Sequence, residues 1–113
     1  MEHFLIIKEL EFLKKKKIEE CLFGTGGKNE TNFNLNTRKS GSAALDMAYV
    51  GSGRYDGYFQ KNLNIWDIAA GIIIVKEAGG KINDIKYSDD KEIKILAGSN
   101  SIYDKMLEKL TNF

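Results

Sequence analysis

Eight consecutive apolar or glycine residues, Ile68 to Val75, run through the stretch "NIWDIAAGIIIVKEAGG" (64–80). Any fold this chain adopts must cover them, because exposed apolar surface is costly in water. The run is too short for a bilayer, which takes about 20 apolar residues in a helix. Its "IIIV" core is β-branched and suits a buried strand by propensity. The small Ala69 and Ala70, Asp67 as an N-cap and the double glycine Gly79–Gly80 favour a buried helix instead. The single tryptophan, Trp66, is expected to pack in the core.

The flanking sequence alternates helical and strand signals. Ser40 or Ser42 caps a helix along "AALDMAYV", ended by Gly51 and Gly53. "RYDGYFQ" reads as a turn into a short strand. Ile82/Ile85 and Ile93/Ile95 form two alternating segments around the turn formers Ser88, Asp89 and Asp90. A last amphipathic helix carries Ser101 and Asp104 at capping-box spacing, with Ile102, Met106, Leu107 and Leu110 on one face. Residues 4–23 mix helical spacing (Ile7, Leu10, Leu13, Ile18) with a strand-like "CLFGTGG" end, and "GTGGKNETNFNLNTRKSGS" reads as a loop. The alternation predicts an α/β or α+β domain without internal repeats.

At 113 residues there is room for one small domain. Seventeen Lys and Arg against sixteen Asp and Glu leave a net charge of +1, which argues against nucleic acid and membrane surfaces as partners. Cys21, the only cysteine, can form no intrachain disulfide and reads as a small buried hydrophobe in a reducing compartment. "MEHFLIIKELEF" lacks the basic start and small-residue cleavage site of a signal peptide, so the expected location is cytoplasmic.

Several motifs carry no chemistry. "GTGGKN" lacks the upstream glycine and following Ser/Thr of a P-loop. "GSGRYDG" has Asp56 where a dinucleotide fingerprint needs its third glycine. Lys14 to Lys17 form a solvated charge run, and His3 has no partner at metal or triad spacing. Asp67 is different. A carboxylate held at a helix mouth can cap the helix or bind a hard cation through oxygen, although one carboxylate makes a poor magnesium site.

"GSAALDMAYVGSGRYDGYF" (41–59), then "WDIAAGIIIVKEAGG" and "ILAGS", closely resembles the C-terminal half of the inositol monophosphatase family over about residues 38–110. The family pattern is a Gly-Ser/Thr-Ala helix start, an Asp-Gly-aromatic turn and a Trp-Asp-x-Ala-Ala-Gly signature ending in Glu-Ala-Gly-Gly. The resemblance implies the C-terminal half of a layered α/β/α fold, with residues 1–37 a poorly matched segment and 38–113 the family-like domain. It implies a Mg²⁺-dependent hydrolase of phosphate monoesters, most often of inositol, in a homodimer. It makes Asp67 a metal ligand lying near a substrate hydroxyl, and places Gly41, Ser42 and Ala43 on the inositol side of the pocket. Gln60 stands where the family has a glutamate facing the ring, which keeps an acceptor but loses the charge.

The family's other metal ligands, a glutamate pair and a D-P-[IL]-D-G-[ST] motif, belong to an N-terminal half. That motif needs a proline and the chain contains none, against about five or six expected from average usage. The stretch between Gly27 and Arg38 is also short, where relatives carry a further helix. Two readings follow. The chain is one half of a phosphatase site that requires a complementing N-terminal half or self-association, or it is a non-catalytic remnant serving as an interaction module.

Overall fold

The structure is a computed structural model, and it describes residues 17–26, 33–85, 93–111 and 113. Five strands form one mixed sheet in the order β2-β1-β3-β5-β4. β1 (Leu22–Thr25) lies parallel to β2 (Asn36–Arg38) and to β3 (Gly57–Leu63). β5 (Ile93–Gly98) runs antiparallel to β3 and to the short β4 (Lys81–Ile82). Among the described residues, a 3-10 turn (Ile18–Glu20) precedes β1 and three α-helices complete the fold: α1 (Ala43–Gly51), α2 (Ile65–Glu77) and α3 (Tyr103–Lys109). The α/β class expected from the sequence is the one observed. No helix among the described residues is long and apolar enough to cross a membrane.

Local chemistry sets the ends of the two long helices. Ser42 has extended backbone angles and its hydroxyl accepts from the Leu45 N–H at 3.2 Å, which starts α1. Asn64 does the same for α2, its side-chain oxygen accepting from the Trp66 N–H at 3.1 Å. Asp67 therefore sits inside the first turn of α2 and is not its cap, a correction to the sequence reading. The other end of α2 closes with Gly79 N–H on Lys76 C=O at 3.0 Å and Gly80 N–H on Val75 C=O at 2.9 Å. Gly79 turns back there at φ 87°, a conformation that glycine adopts at little steric cost.

Strand alternation sends side chains to two cores. Tyr58, Ile95 and Ala97 point to one face, where Met47 and Val50 of α1 and Ile68, Ile72 and Val75 of α2 cover them. Phe23, Phe59 and Leu96 point to the other, under α3 with Ile102, Tyr103, Met106, Leu110 and Phe113. Phe59 meets the rings of Phe23 and Phe113 edge-on at centroid distances of 6.2 and 5.4 Å. The result is three layers: α1 with α2, the sheet, then α3. Asp56 ties distant parts of the sheet together. Its carboxylate accepts from Leu22 N–H at 2.9 Å, its N–H donates to Leu22 C=O, and its C=O accepts from Ser99 N–H.

α1 and α2 pack closely because glycine stands at the contact. A Cβ on Gly71 would lie 2.7 Å from Met47 Sδ and 2.8 Å from its Cβ, and one on Gly51 would lie 2.7 Å from Ile74 Cγ2. With no side chain at either position, the two helices meet almost backbone to side chain.

Other sequence expectations need correction. β1 agrees with the strand-like reading of "CLFGTGG" but runs on to Thr25, into the segment read as a loop from Gly24, and β2 lies wholly within that segment, because a three-residue parallel strand leaves little periodicity to detect. Ile82 lies in β4 but Ile85 lies in no strand, and Ser88 to Asp90 fall outside the described residues. Ile7, Leu10 and Leu13 also fall outside them. α3 starts at Tyr103 without a side-chain cap, so the Ser101–Asp104 box does not form; Tyr103 is buried and Leu107 is partly exposed. Cys21 is fully buried, as expected, its thiol lying 3.3 Å from Lys17 C=O.

Gly71→Ala tests the helix contact. Forcing a methyl against Met47 is expected to destabilise the fold by roughly 1–3 kcal/mol, read as a lower midpoint in chemical denaturation; an unchanged midpoint would contradict the packing described.

Candidate functional site

Both long helices begin at the same place. The N-terminal ends of α1 and α2, the end of β1 and the middle of β3 surround a cavity of about 530 Å³, a size typical of small-molecule sites. Gly41, Ser42 and Ala43 form one wall, Gln60 and Leu63 another, and Trp66 and Asp67 a third, with Thr25, Gly26 and Asp46 between. All five residues singled out from the sequence, which come from three separate stretches of chain, line this one cavity.

Each arrives there for a local reason. Gly41 has φ 84° in the turn ahead of α1, where Ser40 both accepts from Ser42 N–H and donates to Ser42 C=O, each at 3.1 Å. That turn delivers Ser42 to its capping position and Ala43 to the cavity wall. Gln60 shares a strand face with Tyr58, whose hydroxyl donates to Gln60 Oε1. One lone pair of Gln60 Oε1 is thus engaged within the protein, and the amide adds two N–H donors. Asp67 is exposed on the first turn of α2, where the helix dipole favours its negative charge. Trp66 is 83% exposed, which corrects the core packing expected for it.

Two cavity residues escaped the sequence reading. Thr25 is fully buried, its hydroxyl donating to Phe59 C=O at 2.7 Å. Asp46 is only 1% exposed, and its Oδ1 has no hydrogen-bond partner. Burial holds the Asp46 carboxyl above its ordinary value, and the nearby Ser40 hydroxyl pulls less strongly the other way. Burial likewise raises the neighbouring Tyr55 phenol, with the charges of Asp46 and Tyr49 adding and Arg38 opposing. The signal in the sequence was an acid flanked by Leu45 and Met47 inside an otherwise apolar helix. It was visible, but it had no partner at recognisable spacing.

The donor set decides how far a metal ion fits. Mg²⁺ takes oxygen ligands, commonly one or two carboxylates with waters and phosphate oxygens. Asp67 is an open carboxylate at the cavity edge, whereas Asp46 keeps its unpartnered oxygen out of solvent contact. No group of three His, Cys, Asp or Glu able to hold a metal occurs among the described residues. Among the described residues the cavity therefore presents one open carboxylate, Asp67, of the kind magnesium accepts, and no complete metal site.

The sequence profile of the inositol monophosphatase family matches residues 3–112. This chain belongs to that family. An inositol-1-monophosphatase of Caulobacter vibrioides is 42% identical over 76 residues, which cover 65% of this chain and 30% of the relative. The Nus factor SuhB of Xylella fastidiosa is 56% identical over 52 residues, covering 46% of this chain and 19% of the relative. The crystal structure of the extragenic suppressor protein suhB from Bartonella henselae superposes with a TM-score of 0.72 at 37% identity, covering 84% of this chain and 44% of that one. The chain thus spans less than half the length of these family members.

Asp46 gives a pH test of the site. A carboxyl whose folded pKa is raised adds stability when protonated, and that stability is lost as pH climbs from its ordinary 3.8 through the raised value. As pH rises above about 4, Asp46→Asn is expected to remove that part of the decline, so the variant gains on the native chain. Parallel denaturation curves measure the gap; a gap that is constant across the range would contradict the burial of this carboxyl.

Proposed function

We propose that this chain forms the C-terminal wall of a magnesium-dependent phosphomonoesterase site of the inositol phosphate type, completed by the part of the family's chain that it does not span. The observation that carries the reading is the convergence of Gly41, Ser42, Ala43, Gln60 and Asp67 on one cavity. The start of two helices at that cavity adds to it, since helix N-termini favour anions such as phosphate.

Each residue then has a task. The Asp67 carboxylate would hold one face of the cation and accept from a substrate hydroxyl. Gly41, Ser42 and Ala43 would shape the polyol side of the pocket, and the Gln60 amide would donate to a ring hydroxyl. A neutral amide here, with one lone pair of its oxygen already bonded to Tyr58, offers two donors to acceptor oxygens on the ligand. Bound magnesium would supply positive charge against the phosphate oxygens. Like most members of the family, the completed enzyme would act in the cytoplasm as a homodimer.

That the described residues place one open carboxylate in the cavity favours a second reading, in which the chain is a non-catalytic interaction module. Relatives that bear the name Nus factor SuhB belong to the same family. Turnover separates the two. With the complementing segment present, the chain is expected to release phosphate from inositol 1-phosphate only with Mg²⁺, and Asp67→Asn should lower the rate on the order of 100-fold while the unfolding curve barely moves. Hydrolysis that survives both chelation and Asp67→Asn would remove the site assignment, and absence of turnover in a well-formed complex would favour the module.

A further inference from the structure

Asp46 is the only buried acid among the described residues, and the proposed function gives it no task. It stands in the first turn of α1 and lines the cavity, and its Oδ1 has no hydrogen-bond partner among the described residues. A buried acceptor left unmet is costly, so its presence calls for a reason. A Cβ on Gly24 of β1 would lie 3.2 Å from that of Asp46 and 2.8 Å from the Tyr55 ring, so both side chains pack on bare β1 backbone. The polar surroundings of Asp46 lead to the turn ahead of α1. Asp46 N–H donates to Ser42 C=O at 3.0 Å. That carbonyl also accepts from the Ser40 hydroxyl, whose oxygen accepts from Ser42 N–H. The same hydroxyl lies close enough to the Asp46 carboxyl to oppose the effect of its burial. Ser40 has one hydroxyl proton and two acceptors in reach, the neutral Ser42 C=O and the Asp46 carboxyl. A charged carboxylate is the stronger of the two.

We propose that Asp46 is a positioning residue that sets the Gly41–Ser42–Ala43 wall of the cavity through the Ser40 hydroxyl. What that wall binds rests on the proposed function; the coupling itself belongs to this chain alone. With Asp46 neutral, Ser40 donates to Ser42 C=O, the arrangement in the structure. With Asp46 ionised, the hydroxyl turns to the carboxylate and Ser42 C=O keeps its bond from Asp46 N–H. The Ser40 oxygen, its proton drawn away, then accepts more strongly from Ser42 N–H. Gly41, at φ 84°, has the backbone freedom to follow. A carboxyl that only filled space would leave the turn indifferent to its charge. The charged and titratable groups of this corner are Tyr55 ahead of β3, Tyr49 on α1, Arg38 ending β2 and Lys39 in the turn, with Asp67 of α2 on the same cavity. β1 brings Gly24, Thr25 and Gly26 and β3 brings Gln60 and Leu63, none of them ionisable. Asp67 is therefore the carboxyl to control for.

The test follows the isotopically labelled full chain by NMR from mildly acid to neutral pH. The Gly41 and Ser42 amide signals are expected to move together with the Asp46 carboxyl carbon, Ser42 N–H downfield as pH rises. Asp46→Asn, which keeps the side-chain shape, should abolish the movement. Ser40→Ala, at an exposed position, should leave the Asp46 carbon titrating while the turn amides no longer follow it. Ser40→Thr keeps the hydroxyl and should retain the coupling, and Asp67→Asn should leave it in place. Turn amides that ignore the Asp46 titration overturn the inference. So does a movement that survives Ser40→Ala or vanishes in Asp67→Asn. In the complex with the complementing segment, Ser40→Ala should raise KM for inositol 1-phosphate about fivefold with kcat little changed, the effect of losing one positioning hydrogen bond; a fall in kcat alone would overturn the positioning role. A turn that follows Asp46 in a chain whose complex releases no phosphate supports the coupling and removes the proposed function. Mg²⁺-dependent turnover with a turn indifferent to Asp46 does the reverse.

Discussion

The contact of Gly71 with Met47 governs the geometry of the whole site. With no Cβ at Gly71 or Gly51, α1 and α2 approach closely enough to act as one layer on the sheet. Their first turns then open onto the same cavity, bringing Ser42 and Asp67 to facing walls although 25 positions separate them in the sequence. Gly71 lies about one helical turn from Asp67, and Met47 about one turn from Ala43, so this close approach sits directly behind the cavity.

Polarity within the cavity is unevenly distributed. Thr25 and the Gln60 oxygen are bonded inside the protein, so they hold shape more than they bind. Asp67 stands open to water, where a charged carboxylate is stable. Asp46 lies beneath with an oxygen that nothing in the described structure satisfies. Two carboxyls in one cavity lining thus occupy opposite environments, one suited to charge and one resistant to it.

The sequence made the helices legible where they carry caps and breakers: α1 between Ser42 and Gly51, and α2 up to Gly79. Its unbroken apolar run from Ile68 to Val75 showed that α2 needs cover. What it could not show was which apolar residues the sheet would leave uncovered, because composition does not reveal how many layers surround a helix. Trp66 was misplaced for that reason. Asn64 outcompeted Asp67 as the cap because its own side chain reaches the Trp66 N–H, a choice between two good caps three residues apart that propensity does not make. β2 was hidden because a strand of three residues carries almost no periodic signal, whereas β1 showed only as the strand-like end of "CLFGTGG". The site residues were readable through the family resemblance, whereas Asp46 emerged only once burial was known.

Asp56 also bears on how the molecule assembles. It joins Leu22 to a position 34 residues further along and holds the turn that leads into α3. Neither partner is local, so the clamp cannot close until the chain between them has been gathered, at the cost of loop-closure entropy. The pairing of α1 with α2 spans a shorter stretch and lies within one compact segment. By loop closure alone the helical pairing is the less costly of the two to form, and the parallel edge of the sheet, tied through one aspartate, the more costly.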